Sequence, residues 1–340
     1  MNGKRWAAIG IATVVLFFSV IIQLVSLFAT VSIEESGVNF MDILGTGSDL
    51  GTQVERSGNP LEQIAVLRVD GAIISGGGTS IFDTATYNHD LFLESLEVIA
   101  ADATIRGVVL FVNSPGGGVY ESAQIKRRLD YLQENYEIPI YASFGSMAAS
   151  GGYYISVGAD RIFATPETLT ASIGVIFSSL NFTGLMERFG VSDMTVTSGD
   201  HKDIFSPYRP VTDEEEAIMQ SMVDNMQDEF VRIIAEGRGM SEAEVRTFAD
   251  GRIVDGLQAL ELGMIDELGE IEDAIDAMKD TIGNQNAQVI RFYDASDTFS
   301  SLFGFHLSNL LGGNNNINEQ LARALDTNRA PRLMMIYGGR

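Results

Sequence analysis

The pattern of apolar and polar positions divides most of the chain into short strands and longer amphipathic helices. Residues 105–113, IRGVVLFVN, form a nearly unbroken apolar run, which is typical of a strand buried on both faces. A helical period follows in residues 119–135, and IPIYASF in residues 138–144 is a second buried strand. Strand and helix alternating at this spacing predict βαβ units around a parallel sheet, and therefore an α/β fold.

The strongest helical pattern covers residues 212–239. Thr212 is a suitable N-cap with acidic residues in the turn after it, and Gly237 and Gly239 are suitable terminators. We therefore predict a long helix here, with its apolar stripe packed on the core or on another subunit.

The N-terminal residues have the pattern of a membrane anchor. Gln23 is the only strongly polar side chain in residues 6–30, and a helix of about 20 apolar residues spans a bilayer. The run is longer than the roughly 7–15 apolar residues of a cleaved signal peptide, so an uncleaved anchor is favoured over a signal peptide. Because Lys4 and Arg5 precede the run, the N-terminus is expected in the cytoplasm and the rest of the chain outside the cell membrane.

These patterns predict four segments. Residues 1–30 are a cytoplasmic stub and transmembrane anchor, and residues 31–60, which mix Gly, Ser, Asn and acidic residues without a period, are a linker. Residues 61–295 form the α/β domain. Residues 296–340 are a tail that we expect to be peripheral to the core, although its LMMIY sequence (333–337) is apolar enough to mimic a substrate.

Composition excludes several classes of protein and site. The net charge of −24 argues against a nucleic-acid partner, which would require clustered Lys and Arg. There are no cysteines, which excludes thiolate metal sites and cysteine nucleophiles, and only three histidines, which argues against a metal centre. We expect no cofactor.

A glycine-rich turn follows the first buried strand. In SPGGG, residues 114–118, unhindered backbone N–H groups lie at the carboxyl end of a predicted parallel strand, where ligands bind in open α/β sheets. Such N–H groups can stabilise an oxyanion, although a glycine-rich turn between strand and helix is common. The spacing and the Lys-Ser/Thr pair of a phosphate-binding P-loop are missing.

A second cluster of small residues, GSMAASGGYYIS, covers residues 145–156, where a helix is predicted to begin near Ser150. One interpretation is close packing of this helix on the sheet through alanines and Gly152. The other is that Ser150 is presented as a nucleophile at the helix start, with the N–H of Gly151 beside it. Ser146 is a competing nucleophile, but it precedes the predicted helix.

A nucleophilic serine requires a base. His89 lies in a polar loop and His306 in the tail, so we expect both at the solvated surface. His201 and Lys202 are adjacent, and in an extended segment their side chains point to opposite sides, so only one is expected to reach the site. A lysine can act as a base once desolvation lowers its pKa from about 10.4 toward neutrality. The residues alone leave the choice between His201 and Lys202 open.

Several motifs occur together in an order that resembles one known family. They are FVNSPGGG, GSMAASGGYYIS, TLTASIGVI, SGDHKDIFSP and DGRIVDGLQALELGMIDELG, which follow the single N-terminal anchor. From about residue 60 to 295 the chain resembles the short, Gram-positive type of the signal peptide peptidase A family of membrane-bound serine peptidases. The resemblance implies a Clp protease/crotonase-like fold, a βαβ superhelix.

The resemblance also implies roles for individual residues. Ser150, in the ASGGY motif, corresponds to the nucleophile, and Lys202, in the HKD segment, to the general base. Ser172 corresponds to a serine that positions the lysine. The oxyanion donors correspond to the N–H groups of Gly117 and Gly151.

Two positions bear on this assignment. The motif TAS carries Ala171 where the family has glycine, which would be harmless unless the position requires a positive φ. Clp protease has a histidine about 25 residues after its serine, but position 175 is valine here, which favours the Ser/Lys dyad over a triad.

In the resembling family, the serine and the lysine of one active centre come from neighbouring subunits of a ring. A ring-shaped homo-oligomer is therefore expected, in which Asp200 and Asp203 need not face Lys202 although they flank it in sequence. The implied substrates are hydrophobic peptides, chiefly cleaved signal peptides. The alternatives are a membrane protease of the same fold that cuts stomatin-like proteins, and a crotonase-type enzyme acting on acyl thioesters.

Overall fold

The structure is a computed structural model that describes residues 50–75, 87–294 and 334–337. The predicted anchor at residues 6–30 and His306 lie outside these residues. Within them, no helix combines the length and the apolar character needed to cross a bilayer.

Short strands dominate the centre of the described chain, as the apolar runs predict. They are β1 (Leu50–Arg56), β2 (Asn59–Asp70), β3 (Ile105–Ser114), β4 (Gly116–Gly118), β5 (Ile140–Ala149), β6 (Arg161–Ala164), β7 (Leu169–Ala171), β8 (Ile253–Asp255), β9 (Glu267–Leu268), β10 (Ala287–Asp294) and β11 (Met334–Ile336).

Nine of these strands form one sheet, whose main order is β1-β10-β2-β3-β5-β6-β9. Every neighbouring pair from β10 to β9 in this order is parallel, and only the edge strand β1 is antiparallel to its neighbour. The end of β5 pairs with β7, which in turn pairs with β8. The prediction of a parallel sheet in a mixed α/β fold is therefore confirmed.

Helices connect the strands, as the βαβ pattern predicts. They are α1 (His89–Ala101), α2 (Val119–Tyr136), α3 (Gly151–Ser156), α4 (Thr183–Phe189), α5 (Asp213–Arg238), α6 (Glu242–Arg246), α7 (Gly256–Glu261) and α8 (Ile271–Ile282).

The side chains of each strand alternate between the two faces of the sheet, and both faces are buried. In β3, Val108 and Leu110 belong to the larger apolar cluster, whereas Val109 belongs to a smaller one that includes Ala274 and Met278 of α8. Both faces of the central strands are therefore covered, which explains the continuous apolar run of residues 105–113.

The sheet begins earlier in the chain than the sequence pattern indicates. The predicted linker extends to residue 60, yet Leu50–Arg56 pair with β10, and β2 starts at Asn59. This polar segment is ordered because it pairs with β10. No pattern in the nearby sequence indicates that pairing. Residues 50–60 therefore belong to the sheet.

Candidate active site

Ser150 lies in the sharp turn between β5 and α3. Its backbone has φ 54° and ψ −115°, a sparsely populated conformation that costs about 1–3 kcal/mol. Its N–H donates a hydrogen bond to the carbonyl oxygen of Ala171 at 2.7 Å, and its carbonyl oxygen accepts one from the N–H of Tyr154 at 2.9 Å. Strained strand-to-helix turns of this kind hold a serine hydroxyl away from its own backbone. The predicted helix start at Ser150 is confirmed.

The hydroxyl of Ser150 is buried and free. The residue is 1% exposed, and its Oγ atom has no hydrogen-bond partner among the described residues. The competing serine, Ser146, is exposed on β5, and its hydroxyl donates to Oδ1 of Asn113 at 2.9 Å. Of these two serines, only Ser150 has a hydroxyl without a partner.

The glycine-rich turn after β3 forms the short strand β4 beside Ser150. Ile73 N–H donates to the carbonyl oxygen of Gly116 at 2.9 Å, and Gly118 N–H donates to the carbonyl oxygen of Ile73 at 2.8 Å. Because backbone groups alternate along a strand, the N–H of Gly117 points to the opposite side. A Cβ atom placed on Gly151 would lie 3.0 Å from the nitrogen of Gly117. The structure thus brings the two predicted oxyanion donors together.

The tail strand β11 occupies the open side of β4. It runs antiparallel to β4 with Met335 opposite Gly117, and Met334 exchanges backbone hydrogen bonds with Ile176 on its other edge. The carbonyl oxygen of Met335 lies 3.1 Å from the Cβ position of Gly151. A peptide strand therefore crosses the site with its backbone against the predicted oxyanion donors.

The expectation of a peripheral tail is wrong for Met334–Ile336. Met335 is 1% exposed and belongs to the larger apolar cluster. The reason is long-range strand pairing with β4, on which the Asn- and Gly-rich sequence before β11 gives no information. The position of β11 is the one that a substrate mimic would occupy.

Lys202 lies on the surface, in the turn of residues 201–205. Its backbone N–H donates to the carbonyl oxygen of Gly199, and its side chain forms no hydrogen bond or ion pair within the described part of the chain. The neighbouring His201 is also exposed, with Nε2 3.7 Å from a carboxylate oxygen of Glu214. Neither candidate base is hydrogen-bonded to Ser150 within this chain.

The aspartate next to Lys202 pairs with an arginine. Both carboxylate oxygens of Asp203 accept hydrogen bonds from Arg209 at 2.8 Å, and Arg209 also binds Glu215, the buried third residue of α5. Hydrogen bonds from Arg209 lower the pKa of Asp203, and they lower the pKa of Glu215 to about 2. This cluster fastens the turn that carries Lys202 to the start of α5, and it pairs the carboxylate of Asp203 with Arg209 instead of with the lysine.

Ala171 has a positive φ, the conformation in which an alanine at this position is strained. Its φ is 67°, and the following Ser172 has φ 49°. Ser172 is mostly buried, and its N–H donates to the carbonyl oxygen of Arg252 at 2.8 Å. The predicted lysine-positioning serine thus directly follows the residue that binds the backbone of Ser150.

The expectation that His89 is a solvated surface residue is wrong. His89 is 5% exposed, with Nδ1 2.6 Å from the hydroxyl of Tyr87 and Nε2 3.1 Å from Oε1 of Gln124. His89 is the first residue of α1, on the buried face that also includes Phe92 and Leu96. Among the described residues, no group of three or more His, Asp and Glu side chains is arranged to hold a metal ion.

Sequence reasoning missed Ser122, which lies beside Gly151. The Cβ position of Gly151 is 2.6 Å from Oγ of Ser122. The helical period of residues 119–135 indicates that Ser122 is buried, because it places Ser122 on the same face of α2 as Ile125, Leu129 and Leu132. A serine on that face, one turn after the glycine-rich strand, points back toward the site.

Comparison with known proteins gives a consistent result. Residues 133–285 match peptidase family S49. A protein of Enterococcus faecium named signal peptide peptidase SppA is 41% identical over 302 residues, which cover 88% of either chain. Protease 4 of Haemophilus influenzae is 31% identical over 236 residues, which are 68% of this chain and 37% of that protein.

Among solved structures, a ClpP1 mutant from Listeria monocytogenes has a TM-score of 0.39 and 18% identity, covering 62% of this chain and 94% of that one. This likeness is too small to bear on the site.

Proposed function

The chain belongs to peptidase family S49 and is a serine peptidase, and we propose that it is a membrane-anchored endopeptidase with a Ser150/Lys202 dyad. Its proposed substrates are hydrophobic peptides such as cleaved signal peptides. The observation that carries the proposal is the strand Met334–Ile336, which pairs with β4 beside Gly151 as a peptide substrate would, next to the turn that holds the unpartnered hydroxyl of Ser150.

The proposed reaction is acyl transfer in two halves. Lys202, in its neutral form, accepts the proton of the Ser150 hydroxyl while Oγ bonds to the peptide carbonyl carbon. The N–H groups of Gly117 and Gly151 stabilise the resulting oxyanion, each by about 3–4 kcal/mol. When the C–N bond breaks, the Lys202 ammonium returns the proton to the leaving amine. A water molecule then attacks the acyl-enzyme while Lys202 accepts its proton. The Lys202 ammonium returns that proton to Oγ of Ser150 as the ester bond breaks, which releases the carboxylic acid.

Lys202 is proposed to act on the Ser150 of a neighbouring subunit. Among the described residues, Ser150 has no base within hydrogen-bond reach and the Lys202 side chain has no partner. The segment around it is apolar and exposed, and α4 has no buried residue. Contiguous exposed apolar surface is typical of protein interfaces. The exposed apolar side chains of this segment include Leu180, Leu185, Phe189, Met194 and Val196.

Hydrophobic substrates fit both the groove and the proposed location. The strand seated on β4 carries two methionines and an isoleucine, and the anchor of residues 6–30 would hold the groove near the bilayer from which signal peptides are released. A stomatin-like protein substrate would use the same groove. The crotonase-type alternative loses support, because the family is one of peptidases.

The test uses the full chain in detergent and a hydrophobic fluorogenic peptide. We expect no measurable activity from Ser150→Ala or Lys202→Ala, and near wild-type activity from His201→Ala and from the exposed control Ser146→Ala. The rate of peptide hydrolysis should fall as the pH is lowered, because protonated Lys202 cannot accept the proton of Ser150. An inactive His201→Ala together with an active Lys202→Ala would reject the dyad.

The substrate class and the location require separate tests. Synthetic signal peptides and a stomatin-like protein, offered to the same preparation, would show which is cleaved. Recovery of the full chain in the soluble fraction after cell lysis would contradict the anchor.

A further inference from the structure

Ser122 has a buried hydroxyl whose presence folding does not explain. The residue is 0% exposed, and its Oγ atom has no hydrogen-bond partner among the described residues. Leaving a buried hydroxyl unpaired costs about 1–3 kcal/mol, and an alanine would fill the same place without that cost. A buried polar group of this kind calls for a partner that arrives during function.

This hydroxyl and two atoms of the proposed oxyanion site lie around the same point. From one point, the Cβ position of Gly151, the distances are 2.6 Å to Oγ of Ser122, 3.0 Å to the nitrogen of Gly117 and 3.1 Å to the carbonyl oxygen of Met335. Met335 occupies the position in which a substrate residue would lie. The hydroxyl, a backbone donor and a peptide carbonyl oxygen therefore converge on one place.

We propose that Ser122 is a further catalytic residue, a third donor to the oxyanion, and this inference rests on the proposed function. Its hydroxyl keeps its proton and rotates to donate a hydrogen bond to the negatively charged oxygen. That bond is absent from the planar carbonyl of Met335. It forms when the carbonyl carbon becomes tetrahedral and its oxygen moves. An interaction made only in the transition state raises kcat and leaves KM unchanged.

The first experiment compares Ser122→Ala with wild type in the full chain, with a hydrophobic fluorogenic peptide. We expect kcat to fall about 10- to 100-fold with KM unchanged, which is at or somewhat below the effect of removing a single oxyanion donor. The melting temperature should stay the same or rise, because the substitution removes an unpaired buried hydroxyl.

A matched control is available in Ser143. Its hydroxyl is also buried without a partner, but it lies on β5 opposite Phe111 of β3, seven residues before Ser150 in the sequence. We expect Ser143→Ala to keep the wild-type kcat. Equal losses of kcat in the two variants would overturn the proposal. So would a loss of kcat in Ser122→Ala that is accompanied by a lower melting temperature, because both results indicate a structural role.

A second readout separates oxyanion binding from substrate binding. A peptide aldehyde forms an adduct with the serine that places an oxygen in the site, whereas the corresponding peptide alcohol does not. In Ser122→Ala, the aldehyde should bind more weakly by the same factor as the loss in kcat, and the alcohol should bind equally well.

Unchanged kcat and aldehyde affinity would reject the role of Ser122 while Ser150→Ala remained inactive. An active Ser150→Ala would reject the proposed function itself, so the two failures are distinguishable.

Discussion

The N–H of Ser150 donates a 2.7 Å hydrogen bond to the carbonyl oxygen of Ala171, and both residues have positive φ, 54° and 67°. Two strained turns, one after β5 and one at the end of β7, therefore hold each other in place. The bond fixes the start of α3, and with it the direction of the Ser150 side chain. The proposed nucleophile is thus positioned partly by a residue 21 positions later in the sequence.

Substitution of Ala171 tests this strain. Ala171→Gly removes about 1–2 kcal/mol of left-handed strain, but loses a buried methyl group worth about 0.8 kcal/mol and makes the unfolded chain more flexible. We expect its free energy of unfolding to lie within about 1 kcal/mol of wild type. Ala171→Val should lower it by at least about 2 kcal/mol, because a β-branched residue does not tolerate positive φ.

Urea unfolding gives both values, and fluorophosphonate labelling reports whether Ser150 is still presented. A valine variant as stable as wild type would show that position 171 does not adopt positive φ in solution.

Removal of the tail strand should uncover Ser150. A chain that ends at residue 333 lacks Met334–Ile336, which cover the site, so fluorophosphonate should label Ser150 faster than in wild type. The same chain should be less stable, by about 2–5 kcal/mol for the loss of the buried Met335 side chain. A chain that ends at residue 337 keeps β11 and serves as the control. Equal labelling rates in the two truncated chains would show that β11 does not occupy the groove in solution.

Mixing two inactive variants should restore activity if Ser150 and Lys202 meet across subunits. In a randomly mixed ring of Ser150→Ala and Lys202→Ala chains, about one quarter of the sites would combine an intact serine with an intact lysine from its neighbour. We therefore expect up to about a quarter of wild-type activity after co-expression of the two variants in equal amounts.

The control replaces the Lys202→Ala partner with the double variant, which can restore no site. If the mixed sample is as inactive as this control although it still forms oligomers, the two residues act within one chain.

Stability at low pH should depend on Glu215. Hydrogen bonds from Arg209 lower its pKa from 4.5 to about 2, so the folded state favours the carboxylate. The resulting stabilisation is complete above the unfolded pKa of about 4.5, and it is lost as the pH falls toward 2. We expect Glu215→Gln to be less stable than wild type at pH 7, with a smaller difference near pH 2.

The exposed Glu216 lies next to Glu215 in the first turn of α5. Glu216→Gln should unfold at the same urea concentration as wild type throughout this pH range. If the free energy of unfolding of Glu215→Gln is lower than that of wild type by the same amount at pH 7 and at pH 2, ionisation of Glu215 does not stabilise the fold.

Local signals in the sequence were sufficient for the regular elements. The helix predicted over residues 212–239 is observed as α5, Asp213–Arg238, with Thr212 in a capping box and Gly239 in the left-handed conformation. Caps and apolar periods involve neighbours a few residues apart, so the sequence reports them directly. The same holds for the helix start at Ser150 and for the strand that ends in SPGGG.

Contacts between distant residues were decided only by the tertiary structure. Nothing local indicates that Met335 pairs with Gly117, that Leu50–Arg56 form an edge strand, or that Ala171 binds the backbone of Ser150. The sequence by itself indicated which residues are candidates for the chemistry, because the functional groups of serine and lysine, and the lack of a side chain in glycine, are read directly from it. Only the tertiary structure decided which of them lie close together. Strand pairing and backbone hydrogen bonds connect residues that are far apart in the sequence, and no periodic pattern indicates such contacts.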